Sequence, residues 1–145
     1  MDLREVADRL AIHELIARYC HALDLQDWPA FHALFTADAV LDYSRFGGPC
    51  GSPAEVETFL APTLQGLAHS QHMTAAVMID FTGTGDTARA RPAAIVPLTA
   101  HGENGSRQTA LSGLSYEDEF RRTPAGWRIC ARRLVPGWAV TPLPA

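Results

Sequence analysis

Apolar residues recur at steps of three and four through the first 23 residues, the spacing of one face of an α-helix. We therefore expect a long helix over residues 3–23. A short second helix follows, because Asp27 is a favourable N-cap and Pro29 suits a first turn. The predicted buried positions of the two helices are Leu3, Val6, Ala7, Leu10, Leu15, Ile16, Tyr19, Cys20 and Leu23, then Trp28, Phe31, Leu34 and Phe35.

A turn at 36–38 is expected next, and a strand over 39–44 in which Ala39, Leu41 and Tyr43 share one face. The glycine-rich segment 46–51 is predicted to be an irregular loop. Ser52 and Glu55 form a capping box around Pro53, so a third helix is expected to begin there and to end before residue 66.

Beyond residue 70 the pattern changes to that of strands. We expect strands over 71–81, 87–98, 108–122 and 127–135, joined by turns at 82–86, at Asn104-Gly105 and at 124–126. Helices followed by an antiparallel sheet indicate one α+β domain over residues 1–145. The sheet would curl around the helices and leave a pocket between its concave face and the long helix.

Composition narrows the function classes. The chain has 145 residues and a net charge of −4 without a basic stripe, so no nucleic-acid partner is expected. No apolar run approaches the roughly 18 residues of a membrane span, and the charged N-terminus does not resemble a signal peptide. Cys20, Cys50 and Cys130 are far apart, which predicts three buried thiols in a cytoplasmic protein.

Two motifs carry little weight. The segment 83–88 matches a dinucleotide-binding pattern, but Pro92 follows where a helix should run, so we interpret it as a hairpin turn. His69 and His72 have metal-ligand spacing, yet no third ligand stands out, so no metal is expected.

Asp24, His72 and Tyr43 are the candidate chemical residues. Asp24 would face the negative end of the first helix, and Asp27 is the better cap for the second. Taken singly, each has an ordinary interpretation: a solvated carboxylate, a core histidine and a strand aromatic.

Together these residues support a resemblance to a known family. The stretch Arg18–Trp28, with Phe31, Leu34-Phe35 and Ala39–Tyr43, resembles the start of a SnoaL-like domain of the nuclear-transport-factor-2-like superfamily. Later segments agree with it: Ser70–Met73, Gly85–Ala88, Tyr116–Phe120 and Thr123–Ile129. The branch it resembles most is that of scytalone dehydratase and the bile-acid 7α-dehydratases. The superfamily also contains cyclases, isomerases, epoxide hydrolases and non-enzymes, so the fold does not select the reaction.

The resemblance implies a cystatin-like cone, in which a strongly curved antiparallel sheet wraps around a long N-terminal helix and two shorter helices. It implies that Asp24 orients a catalytic His72 and that Tyr43 holds or polarises a substrate carbonyl. Tyr19 matches a pocket tyrosine of the bile-acid branch. Further substrate contacts are expected at Phe46, Trp28, Met73, Tyr116 and Trp138.

One departure from the scytalone dehydratase pattern is evident. Its second catalytic histidine and an asparagine would fall near Pro97 and Tyr116, and His101 lies in a predicted loop. The two-histidine site is therefore incomplete here.

We hypothesise a cofactor-independent acid–base enzyme for a small carbonyl compound, polyketide- or steroid-like, most simply a dehydratase. A cyclase or isomerase with the same residues, or a non-catalytic binding domain with a pocket of Phe59, Leu64, Met73, Val77 and Trp138, are the alternatives. Phe46 and Trp138 are expected to close over the substrate. A homodimer or homotrimer is expected through the sheet face that carries Arg89, Arg91, Thr109 and Leu111.

Overall fold

The computed structural model describes residues 2–141. Three helices come first and are interrupted by the early strands: α1 (Leu3–Asp24), α2 (Trp28–His32) and α3 (Pro53–Gly66). Each begins at a side-chain cap, from Asp2, Asp27 and Ser52 respectively. The capping box predicted at Ser52 and Glu55 is present. All three predicted helices are therefore confirmed.

In the described part of the chain, nine strands form one curved, unclosed sheet around α1. They are β1 (Phe35–Asp42), β2 (Cys50–Gly51), β3 (Leu67–Ser70), β4 (Met73–Ala75), β5 (Ile79–Thr82), β6 (Thr87–Ala90), β7 (Ala93–His101), β8 (Arg107–Thr123) and β9 (Gly126–Val140). Strand β8 pairs with β9 on one side and with β6 and β7 on the other. The sheet is antiparallel as expected, except that β1 runs parallel to β9 and makes it mixed.

Several predicted boundaries were wrong. The expected turn at 36–38 lies inside β1, which pairs with the distant strand β9 on both sides of it, at Phe35 and from Val40 onward, with a shift of register between them. Segment 46–51 is not wholly irregular, since Cys50–Gly51 pairs with β1. The predicted strand 71–81 is interrupted between β4 and β5, where Ala76 has φ +51°, and β3 was not predicted at all.

The core lies between α1 and the concave face of the sheet. The predicted stripe of α1 is buried from Leu15 onward, but Leu3, Val6, Ala7 and Leu10 are exposed. Cys20 is buried, whereas Cys50 is exposed and Cys130 half-buried, so the prediction of three buried thiols was wrong for those two. Within residues 2–141, no helix is long and apolar enough to cross a membrane.

Asp8 replaces the expected apolar contact at the start of α1. Asp8 is 8% exposed, and its carboxylate accepts hydrogen bonds from Arg122 Nη1 at 2.9 Å, Arg122 Nη2 at 2.6 Å and Trp127 Nε1 at 2.9 Å. The hydrogen bond from Arg122 is the main cause that lowers the pKa of Asp8 below its ordinary value. This carboxylate fastens α1 to the last two strands.

Replacing Asp8 with asparagine is expected to lower the free energy of unfolding by about 2 kcal/mol at pH 7, since one buried donor loses its acceptor. A carboxylate with a lowered pKa stabilises the fold above its unfolded pKa and loses that effect as pH falls through the folded value. The gap between the variant and the parent should therefore begin to narrow below about pH 4. Urea denaturation at pH 7 and pH 3 measures it. Asp86→Asn, at a half-exposed carboxylate on the same Arg122, should change stability by less than about 1 kcal/mol.

Candidate active site

Asp24 and His72 lie in contact at the end of α1. Asp24 Oδ1 is 2.6 Å from His72 Nδ1, and Asp24 Oδ2 accepts the backbone N–H of His72 at 2.8 Å. Ser70 Oγ donates a third hydrogen bond to Oδ1 at 3.1 Å. The side chains are 17% and 10% exposed. The structure thus brings together the two residues that sequence reasoning paired.

Strand register explains why His72 faces the carboxylate. Residues 70 and 73 pair with 98 and 95 of β7, and the Gln71 N–H donates to the Pro97 carbonyl. In an antiparallel pair the next residue, His72, directs its N–H away from the partner strand. The backbone N–H of His72 therefore points toward Asp24, while its imidazole is on the concave face of the sheet.

The pair has a defined protonation pattern. Burial disfavours the charged form of Asp24, but the hydrogen bonds from the His72 ring and amide outweigh it and hold the pKa of Asp24 below its ordinary value. A carboxylate accepts only, so Nδ1 of His72 carries the proton. The lone pair of a neutral His72 is then on Nε2, where it is able to remove a proton from a ligand.

Tyr43 and Tyr19 supply a pair of phenols. Tyr43 follows β1 directly, and its backbone oxygen accepts hydrogen bonds from the amides of Phe46 and Gly48. A Cβ at Gly48 would lie 2.8 Å from Tyr43 Cβ and 2.7 Å from Phe59 Cε1, so only glycine fits between these rings. The hydroxyls of Tyr19 and Tyr43 are hydrogen-bonded to each other. Both side chains are buried.

A cavity of about 160 Å³ joins these groups. His72, Tyr19, Tyr43, Tyr116 and Ser112 are its polar lining residues. The remaining walls are apolar and come from α1, α3, the loop after β1 and the concave face: Leu23, Phe46, Phe59, Leu60, Leu64, Val96, Leu98, Leu114 and Leu134. An imidazole and phenols thus face one small, mostly apolar space.

A buried ion pair lies against the tyrosines. Arg132 Nε and Nη2 each donate to Asp118 at 2.7 Å, and neither side chain is exposed. Arg132 Cζ lies 3.9 Å from the ring centre of Tyr19 and 4.2 Å from that of Tyr116. Burial opposes the charge on Arg132, but Asp118 outweighs it, and the pKa of Arg132 is above its ordinary value.

Residues 4–133 match the SnoaL-like domain family. The chain belongs to this family. The uncharacterized protein Rv2910c of Mycobacterium tuberculosis is 34% identical over 134 residues, which cover 91% of this chain and 87% of that protein.

Solved structures with the same fold include two named enzymes. A provisionally assigned scytalone dehydratase of Novosphingobium aromaticivorans has a TM-score of 0.81 at 18% identity, over 97% of this chain and 91% of that one. A hexachlorocyclohexane dehydrochlorinase, LinA type 2, has a TM-score of 0.83 at 16% identity, over 100% and 95%. A nuclear-transport-factor-2-like protein with a cystatin-like fold, from Novosphingobium aromaticivorans, has a TM-score of 0.72 at 28% identity, over 92% of this chain and 84% of that one. The chain therefore has the cystatin-like fold of this superfamily.

Three predicted contacts of this SnoaL-like domain do not line the cavity. Met73 follows His72 and so points to the opposite face of the sheet, where it is 44% exposed. Trp138 pairs with Gly113, whose neighbours Ser112 and Leu114 face inward, so Trp138 also points outward. Trp28 packs edge-on against Phe31 instead. Tyr19, Phe46 and Tyr116 do line the cavity.

The pocket suggested for a binding domain is likewise divided. Phe59 and Leu64 line the cavity, whereas Val77 does not and Met73 lies with Trp138 in a separate groove on the outer face. His101 ends β7 and is exposed. Val96 and Leu98 occupy the wall on either side of Pro97, so no second histidine faces His72 from β7.

Sequence reasoning missed three polar residues near the site: one that binds Asp24 and two that lie against the tyrosines. Ser70 stood in a family-like segment, but only the three-dimensional contact shows that it binds Asp24. Arg132 and Asp118 are directly paired on β9 and β8, and two charges at inward positions of adjacent strands were the available signal. Within residues 2–141, no group of three or more potential metal-ligating side chains is assembled.

Proposed function

We propose that this protein is a cofactor-independent acid–base enzyme that dehydrates a small β-hydroxy carbonyl compound. One observation carries the proposal: the Asp24-bound imidazole of His72 and a phenol pair face the same small cavity. Base and hydrogen-bond donor are the two groups that enolate formation requires.

The reaction would proceed through an enolate. His72 Nε2 removes the proton α to the carbonyl, and the electron pair of that C–H bond moves to the carbonyl oxygen. Asp24 stabilises the imidazolium that forms. Tyr43 donates a hydrogen bond to the enolate oxygen. When the enolate reverts to the carbonyl, the β C–O bond breaks, and the imidazolium gives its proton to the departing hydroxide. Water and an enone are the products.

The cavity volume limits the substrate. A cavity of roughly 150 Å³ holds a benzene-sized molecule, and the volume here is about 160 Å³. A single six-membered ring therefore suits the cavity better than the polyketide- or steroid-like substrates suggested by the family resemblance. The apolar walls favour a ring whose carbonyl and hydroxyl are its only polar groups.

A second reaction fits the same groups. Val96 and Leu98, which flank His72 on the neighbouring strand β7, carry no acid or base, so the imidazole would take and return the proton. Isomerisation of a β,γ-unsaturated ketone needs only that single base. A cyclase or a binding domain has no comparable observation in its favour.

The decisive experiment uses small cyclic ketones. 3-Hydroxycyclohexanone tests dehydration through the ultraviolet absorbance of the enone product, and 3-cyclohexenone tests isomerisation in the same assay. Cyclohexanone in D₂O tests proton abstraction alone, followed by NMR. Catalysis by the parent and by His69→Gln, an exposed histidine, but not by His72→Gln, would support the proposal. Ligand binding without turnover or exchange would contradict it and favour a binding domain.

The loop after β1 is proposed to act as a lid. Phe46 lines the cavity yet is 40% exposed, so a bound ring would cover part of its apolar surface. Phe46→Ala is expected to raise KM about three- to tenfold, equivalent to the loss of roughly 1 kcal/mol of apolar contact. Leu10→Ala, at an exposed position outside the cavity, should leave KM unchanged. Equal KM values for both variants would refute the lid, which no longer includes Trp138.

A homodimer or homotrimer remains a proposal, through the outer face of the sheet. Met73, Ile95, Gly113 and Trp138 form one cross-strand row there, and three of them are exposed and apolar. A symmetric assembly would cover this row. Sedimentation velocity should show a dimer or trimer that Ile95→Glu dissociates. A parent that stays monomeric at all concentrations would refute the assembly.

A further inference from the structure

Either hydroxyl of the Tyr19–Tyr43 pair could donate the hydrogen bond that joins them. Two hydroxyls that hydrogen-bond to each other share one proton along that bond, and the other proton is left for a ligand. Only the hydroxyl that keeps its proton free is able to donate to an enolate oxygen. The more acidic phenol is the better donor, so it should donate to the other phenol.

Arg132 distinguishes the two phenols. Its guanidinium lies 3.9 Å from the ring centre of Tyr19, and the other ring it covers is that of Tyr116. A cation over a ring face withdraws electron density and stabilises negative charge on its oxygen. Tyr43 has its ring against Phe59 instead. The cation therefore acts on Tyr19 more strongly than on Tyr43.

The electrostatics of the three groups agree with this geometry. Burial raises the pKa of both phenols, and the pKa of Tyr43 is the more strongly raised because Tyr19 and Tyr116 add to the effect of burial. The charge of Arg132 is the strongest influence that opposes burial at Tyr19, whereas at Tyr43 it is weaker than the repulsion from Tyr19 and Tyr116. Tyr19 is thus the more acidic member of the pair.

We propose that Arg132 is a positioning residue that sets the order of donation, so that Tyr19 donates to Tyr43 and Tyr43 donates to the substrate oxygen. This inference rests on the proposed function, in which a donor stabilises an enolate. Hydrogen bonds in such a chain polarise and strengthen one another. Arg132 does not line the cavity and acts only through the phenols.

The surroundings of Arg132 suit this role. Asp118 fixes Nε and Nη2, while Nη1 is buried and has no hydrogen-bond acceptor among residues 2–141. The faces of Tyr19 and Tyr116 are what remains to compensate the charge on that side. An arginine needed only for the fold would be expected to have its third nitrogen bonded as well.

The first test measures Tyr19 without any turnover. 3-Fluorotyrosine is incorporated in place of tyrosine, and Tyr19 is assigned by Tyr19→Phe and titrated by ¹⁹F NMR. In the neutral double variant Arg132→Met/Asp118→Leu the Tyr19 midpoint is expected to move to higher pH. Arg132→Lys keeps the cation beside Asp118, so its Tyr19 midpoint should stay close to that of the parent. A midpoint that is the same in the parent and in the double variant would overturn the proposal.

The second test is a double-mutant cycle on ketone proton exchange. Removing the ion pair should lower kcat for exchange roughly three- to tenfold with KM unchanged, and should have no further effect when Tyr19 is already phenylalanine. Tyr43→Phe should lower kcat more than Tyr19→Phe. The donation order would be overturned if removing the ion pair lowered kcat as much in the Tyr19→Phe background as in the parent. It would also be overturned if Tyr19→Phe lowered kcat more than Tyr43→Phe. If the parent exchanges no ketone protons, the proposed function fails, and the Tyr19 titration still decides whether Arg132 acts on that phenol.

Discussion

His72→Gln is expected to lower kcat for cyclic ketone exchange and dehydration by about 10²–10⁴-fold, the usual contribution of a general base. Glutamine retains polarity and approximate length but has no basic nitrogen at neutral pH. Since His72 is at the cavity wall, ligand affinity should change little. His69→Gln is the matched control, because it removes an exposed imidazole three residues away. Equal activity of the two variants would eliminate His72 as the base.

Asp24→Asn should produce a loss of similar size for a different reason. Its amide group cannot stabilise the imidazolium, and it offers one acceptor where the carboxylate receives three hydrogen bonds. Because the pKa of Asp24 is lowered, its carboxylate stays ionised at pH values below the ordinary pKa of an aspartate. The pH profile of kcat should therefore show no limb at the ordinary pKa of a carboxyl group. A limb that tracks the ordinary pKa of a carboxyl group would contradict this assignment.

The Asp118–Arg132 pair should give the largest change in stability. Asp118→Leu leaves a buried guanidinium without its partner, and breaking such a pair lowers the free energy of unfolding by about 3–5 kcal/mol. Because arginine keeps its charge at any accessible pH, this loss should be the same at pH 5 and pH 8. Removing both charges in Arg132→Met/Asp118→Leu should recover most of the loss.

Arg132→Met is expected to behave differently with pH. Burial already raises the pKa of Asp118, and without the opposing charge the pKa rises further. An acid with a raised folded pKa destabilises when ionised, so the loss is full at pH 8 and shrinks as pH falls and the carboxyl group takes up a proton. Urea denaturation at both pH values measures this. Arg89→Met, at an exposed ion pair, should cost less than about 1 kcal/mol. Equal losses for Arg132→Met at both pH values would show that Asp118 is not buried as described.

Local patterns predicted the helices and most of the long strands, because caps, turns and alternation are read from neighbouring residues. The capping box at Ser52 and the hairpin at Asn104-Gly105 are examples. The parallel contact of β1 with β9 was missed because no local signal selects a strand about 90 residues away. The same holds for Asp8, whose partners Arg122 and Trp127 are more than 100 residues distant.

The candidate site was predicted in part, for a related reason. The resemblance named Asp24, His72, Tyr19 and Tyr43, and all four border one cavity or bind a residue that does. Met73 and Trp138 were misplaced because their side depends on strand register, which composition does not determine. Arg132 was overlooked because a buried arginine has no sequence signal apart from the partners that neutralise it.

The contact between Asp24 and the His72 amide also affects solubility. Within residues 2–141, β3 and β4 have no strand on the side away from β7, so they form an open edge of the sheet. Open edges with free amides invite pairing with strands of other molecules. The Asp24 carboxylate accepts the hydrogen bond of one such amide, that of His72, and places a negative charge beside it. Asp24, which orients the proposed base, therefore also disfavours edge-to-edge aggregation of the sheet at this point.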